Sequence, residues 1–147
     1  MSAWAAVVAA IAGGAIALAG QFAGRRRDKQ VRIGELLLEA CEQVVSLSDD
    51  FRNRLWEEVE LGQEGRVGEW NLLGNQLAVA RIKLLTDDRI LLQRLEGLTA
   101  SGKAMGAYWR RGNVDHAELN SRRETDKVAC AAFIAASSAV VRKLLNG

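Results

Sequence analysis

The sequence contains no proline, where about seven would be usual at its length of 147 residues. Proline breaks helix interiors and marks turns, so its absence suits a chain built almost wholly of long helices. There is a single histidine, His116, and there are two cysteines, Cys41 and Cys130. Neither type recurs at ligand spacing, so no zinc site is expected. A histidine-based triad has no local support either. No run alternates apolar and polar residues for long enough to suggest a strand. Cofactor, metal and catalytic residues are therefore expected to be none, and an enzyme is not the expected class.

Formal side-chain charge is also absent over a long stretch. From Ala3 to Gly24 there is no Asp, Glu, Lys or Arg. Twenty-two helical residues rise about 33 Å, close to the roughly 30 Å hydrocarbon core of a bilayer. Ten of them are alanine, four are glycine and seven are larger apolar groups, so the insertion signal is modest. Trp4 falls near one end and the polar Gln21 near the other, as interfacial residues would. Directly after the run come Arg25, Arg26, Arg27, Lys29 and Arg32, a stop-transfer cluster suited to lipid headgroups. The positive-inside rule then sets the short N-terminus outside and residues 25–147 in the cytoplasm. A cleaved signal peptide would carry positive charge ahead of its apolar part, and Met1-Ser2-Ala3 carries none. The other alternative is a helix buried in a soluble oligomer.

Small residues recur four apart along this run. Ala5, Ala9, Gly13 and Ala17 form one row, and Ala6, Ala10 and Gly14 its neighbour. Such rows let helix backbones approach closely in lipid, although any alanine-rich helix produces them. Self-association in the membrane is one expectation that follows.

The basic cluster also accounts for the overall charge of +2. Residues 25–32 hold five cations and one acid, leaving fifteen cations against seventeen acids in residues 33–147. A nucleic-acid binder would show a basic face on its folded domain, so nucleic acid is not an expected partner.

After the cluster the apolar spacing is helical. Leu37, Cys41, Val44, Ser48, Phe51 and Leu55 stripe a helix near 28–61, with no break back to Gly24. Gly62, Gly65 and Gly68 then mark a loop. Trp70, Leu73, Leu77, Ala80 and Leu84 predict the inward face of a second helix. Thr86, Asp87 and Asp88 supply the cap of a third, striped by Leu91, Leu95, Leu98, Gly102, Met105 and Trp109 and ending at Gly112-Asn113. Asp115 and Glu118 resemble a capping box for a fourth, whose face holds Cys130, Phe133, Ile134, Ser137, Val141 and Leu144. Short linkers favour an antiparallel bundle of about four helices, with the fourth returning to pack beside the juxtamembrane segment. The expected architecture is all-α: an anchor over 1–24, a basic segment over 25–32 and a cytoplasmic helical bundle over 33–147.

Three features invite functional readings. Residues Gly97 to Lys103 match phosphate-loop spacing, but Ala104 replaces the magnesium-binding hydroxyl and no strand precedes the segment, so a helix is expected there. The adjacent pairs Asp49-Asp50, Glu57-Glu58 and Asp87-Asp88 point to different sides of a helix and form no dyad. Trp56 and Trp70, at the end of the bundle far from the anchor, are candidates for a partner surface.

The layout resembles a loose group of small, uncharacterised actinobacterial and actinophage proteins with an Ala/Gly-rich membrane helix, an arginine cluster and a helical bundle. The segment Ala80-Arg81-Ile82-Lys83-Leu84-Leu85-Thr86-Asp87-Asp88-Arg89-Ile90-Leu91 is similar to their helix–cap–helix join. The resemblance implies a bacterial inner-membrane setting and no established activity. The leading expectation is a single-pass membrane protein that binds a protein partner, or itself, at the membrane, with no small-molecule substrate identified. The alternative is a membrane-perturbing lysis, exclusion or defence factor that oligomerises through the small-residue helix.

Overall fold

The computed structural model describes the backbone of residues 3–147 and the side chains from residue 17 onward. Among the described residues the fold is all-helical, with four helices: α1 (Ala3–Glu60), α2 (Leu72–Leu85), α3 (Arg89–Arg110) and α4 (His116–Asn146). The small-residue rows at Ala5, Ala6, Ala9, Ala10, Gly13 and Gly14 fall on side chains outside the described residues. Ala17, the last member of those rows, is exposed.

α1 is one uninterrupted helix of 58 residues, roughly 87 Å long. From residue 17 to residue 30 every residue is exposed, and burial begins at Val31 and Gly34. Among the described side chains, the bundle therefore grips α1 only from Val31 onward. The expected stripe is largely in place: Leu37, Cys41, Val44 and Leu55 are buried, while Ser48 and Phe51 are half-buried. α1 stops where Gly62 takes φ +65°. That left-handed turn, costly for a residue with a Cβ, lets the amides of Leu61 and Gln63 both donate to the Glu57 carbonyl.

α4 runs back along α1 with a constant register. Arg52 meets Asp126, Gly34 faces Leu144 and Leu145, and Gln30 lies beside Gly147. A Cβ on Gly34 would come within 3.0 Å of Leu145, so Gly34→Leu is expected to pry this end apart, visible as new cysteine reactivity at Cys41 and Cys130. α3 packs antiparallel on α4, and Ser101 bonds to Asp126 across that interface. The main core joins Leu37, Ala40, Val44, Ala78, Ile82, Leu91, Leu95, Leu98 and Phe133. A second, distal cluster holds Leu55, Met105 and Leu119.

The helix ends are capped largely as the sequence suggests. Asp88 Oδ1 accepts from the Leu91 amide at 2.9 Å, and Thr86 Oγ1 accepts from the Asp88 amide at 3.1 Å. Gly112 and Asn113 both have positive φ and reverse the chain after α3. The capping box at α4 is only half made. Asp115 accepts weakly from the Ala117 amide, but Glu118 turns to Arg122, and the Asp115 amide is taken by the Tyr108 hydroxyl.

Two expectations fail in α2. The helix starts at Leu72, with Asn71 as its N-cap accepting from the Gly74 amide at 2.9 Å, so Trp70 belongs to the preceding loop. Asn71→Ala is expected to cost about 1 kcal/mol in a denaturation midpoint measurement. Its inward face is Gly74, Ala78 and Ile82, whereas Leu73, Leu77 and Leu84 are exposed, Leu84 at 86%. In α4, Ile134 also points outward while its stripe neighbours are buried.

Among the described residues, α4 is the helix whose length and composition would allow it to cross a membrane. The span expected at residues 3–24 is not supported among the described residues. Only Ala17–Gly24 of that run has described side chains, and the charges of residues 25–32 follow at once. α4 itself contributes its apolar stripe to the bundle core and carries the buried Asp126.

Candidate functional site

The extensive helix packings are α3 on α4, α4 on α1 and α1 on α2. α2 and α3 are joined by the short turn at Thr86–Asp88 and splay apart from it, leaving a groove of about 660 Å³ floored by α1. The α2 wall presents Leu72, Asn75, Gln76, Val79 and Lys83, one face at helical spacing. The α3 wall presents Leu98, Thr99, Gly102, Lys103, Gly106 and Arg110. Val44, Ser48 and Phe51 form the floor.

The far end is closed by the loop after α1, through Val67, Gly68 and Trp70. That loop is tied down by polar contacts. Arg66 Nε donates to Glu57 at 2.7 Å, the Val67 amide to Glu58 at 3.0 Å, and Arg54 to the Arg66 carbonyl at 2.9 Å. The Trp70 indole donates to the Leu47 carbonyl at 2.9 Å, and its ring centroid lies 4.7 Å from that of Phe51. Gly106 admits Phe51 closely, since a Cβ there would lie 3.2 Å from the Phe51 ring.

Beneath the groove lies a buried polar network. Arg52 and Asp126 are 6% and 2% exposed. Asp126 Oδ2 accepts from Arg52 Nη1 at 2.5 Å, and Oδ1 accepts from the Ser101 hydroxyl at 2.6 Å. The second guanidinium nitrogen of Arg52 pairs with Asp49. Both carboxylate oxygens are thus occupied, which is what keeps an ion buried without an unmet hydrogen bond.

The structure separates the two tryptophans proposed as one surface. Trp70 lines the groove, whereas Trp56 is 38% exposed on α1 and takes no part in it. Arg25, Arg26, Arg27, Lys29 and Arg32 are all exposed on the projecting part of α1, with Arg32 placed 3.5 Å from Glu35. The segment with phosphate-loop spacing is helical within α3, and Thr99, Gly102 and Lys103 from it line the groove. Gly102 is not at a tight crossing: a Cβ there would meet only Asp126 Oδ1, at 3.9 Å. His116 is exposed in the first turn of α4, its Nδ1 2.8 Å from Glu60. Among the described residues no three His, Cys, Asp or Glu side chains converge as metal ligands.

The network around Asp126 was not expected from the sequence. Its signal is a carboxylate on the α4 core stripe, four residues before Cys130 and seven after Leu119.

Cys41 and Cys130 are buried and unbridged. Burial pushes the Cys41 thiol above its ordinary value, opposed by the Ser137 hydroxyl and reinforced by Glu42. A thiol raised on folding leaves stability intact below its unfolded value and removes it as pH climbs past that value, because the unfolded chain ionises first. Cys41 is therefore expected to resist iodoacetamide at pH 8 until the bundle is denatured, as read by mass spectrometry of the labelled peptide.

No protein-family model, curated protein or solved structure matches the chain.

Proposed function

We propose that this chain is a single-pass membrane protein whose helical bundle works as a binding module at the cytoplasmic face. The observation that carries the reading is the lone stretch of α1. Residues 17–30 touch no other element closely enough to be covered, and Leu18 and Phe22 are 56% and 64% exposed. A projecting helix with an uncharged run over 3–24 needs an apolar solvent, and a bilayer of matching thickness supplies one. Arg25 to Arg32 then lie at the headgroups, facing the cytoplasm. The resemblance noted above favours a bacterial inner membrane.

α4 stays within the bundle in this reading. Moving it into lipid would unpair Asp126 from Arg52 and uncover Leu37, Leu95 and Phe133. Binding rather than catalysis is favoured because the groove's carboxylate is locked by two partners. A protein partner, or a second copy, has an apolar face to dock on: Leu73, Leu77 and Leu84 on α2, flanked by Arg81.

Arginine substitution tests the topology. Each arginine at the centre of a span costs about 2.5–3.5 kcal/mol on insertion scales. The double variant Ile11→Arg/Gly14→Arg is expected to move from the alkaline-washed membrane pellet to the supernatant. Ile134→Arg, on the exposed side of α4, is expected to leave the protein in the pellet. The reverse pattern would assign the span to α4 and end this proposal. Membrane potential separates the alternative function: rapid depolarisation on induction, lost in Gly13→Leu/Gly14→Leu, would identify a membrane-perturbing factor.

A further inference from the structure

The groove between α2 and α3 carries charge that nothing in the bundle uses. Lys83, Lys103 and Arg110 stand on its walls, and all three are exposed. None makes an ion pair among the described residues. The lining contains a single carboxylate, Asp126, and both of its oxygens are engaged by Arg52 and Ser101. Three uncompensated cations therefore line an apolar groove in a domain that has more acids than bases.

We propose that this groove binds a small soluble amphiphilic anion: a carboxylate, sulfonate or phosphate head on an aromatic or short alkyl body. The head is drawn to the exposed cations of the two walls, Lys83 on α2 and Lys103 on α3. The body rests on Val44, Phe51 and Leu98. Hydrophobic walls with a few convergent polar groups, in a volume of this order, are the usual anatomy of a small-molecule site. A charge-assisted bond to a wall lysine fixes the orientation.

Shape decides against a partner helix. A helix-in-groove partner lays its apolar face along the length of the trough. This one is lined at its far end by Val67, Gly68 and Trp70 of the loop after α1, which a helix running through it would have to displace. The proposal is independent of how the chain meets the membrane, since every wall comes from residues 44–126.

The test uses the full chain in phosphatidylcholine nanodiscs, titrated calorimetrically with 1-naphthylacetate, indole-3-acetate and octanoate. At least one of the three is expected to bind saturably, one per chain, while 1-naphthylmethylamine does not bind. The double variant Lys83→Gln/Lys103→Gln should weaken binding at least about tenfold, the loss expected for one charge-assisted bond. Gly102→Leu should abolish it by filling the groove. A Cβ at that position meets only Asp126 Oδ1 at 3.9 Å, so an unchanged circular dichroism spectrum is expected alongside. Failure of all three anions, equal binding of the amine, or binding that survives Gly102→Leu would overturn the proposal. So would competition from anionic lipid in the disc, which would hand the groove to a headgroup. An acidic amphipathic peptide that binds where the three anions fail would show that the occupant is a helix instead.

Discussion

Asp126→Ala is expected to lower the unfolding free energy by about 3–5 kcal/mol, the usual cost of removing one partner from a buried ion pair. The size of the effect comes from what is left behind. Arg52 is 6% exposed and would keep Asp49 as its sole carboxylate, on the solvent side of the guanidinium. The Ser101 hydroxyl would lose its closest acceptor, at 2.6 Å, and fall back on the Leu98 carbonyl at 3.0 Å. Three helices meet at this one carboxylate, so the loss should be global, not confined to α4. Chemical denaturation in mild detergent, followed by tryptophan fluorescence, reads it directly. The double replacement Arg52→Met/Asp126→Leu should recover most of the loss, because a well-packed apolar pair substitutes for a buried ionic one at little net cost. A change below 1 kcal/mol for Asp126→Ala would mean that water reaches the pair.

The same residue shows where sequence reading stops. Along α1, α3 and α4 the core stripes were legible because each helix has one apolar face against a polar remainder, and the buried Leu37, Leu91 and Phe133 fall on those stripes. Caps were legible because Asp88, Gly112 and Asp115 act locally, through bonds spanning three residues or fewer or through a turn of their own backbone. Arg52 and Asp126 are 74 residues apart. Each looks like a surface charge until the α1–α4 register sets them opposite one another. The groove was illegible for a related reason. It is a space left between α2 and α3, and its lining draws on all four helices and a loop. Trp70 could be flagged as noteworthy, but its place in the wall depends on a bond to the Leu47 carbonyl.

α2 failed differently, and the failure yields the second large effect. Leu72, Leu73, Leu77, Val79, Ile82, Leu84 and Leu85 leave this 14-residue helix apolar nearly all round, so periodicity alone could not choose its inner face. The larger leucines looked like the core, yet Gly74, Ala78 and Ile82 face α1. Small residues at Gly74 and Ala78 let α2 lie close to α1, with Ala40 and Val44 in the same core, and Ile82 fills the space lower down. Ile82→Ala should therefore cost about 2–5 kcal/mol, as a large-to-small change at a fully buried site does. Leu84→Ala, at 86% exposure, should stay within about 0.5 kcal/mol. Paired denaturation curves of the two variants at low protein concentration measure both. Repeating them at high concentration adds a reading of association. If two copies pair through Leu73, Leu77 and Leu84, the cost of Leu84→Ala rises with concentration, because a contact made only in the assembly stabilises only the assembly. A cost that stays flat leaves that face to a different protein.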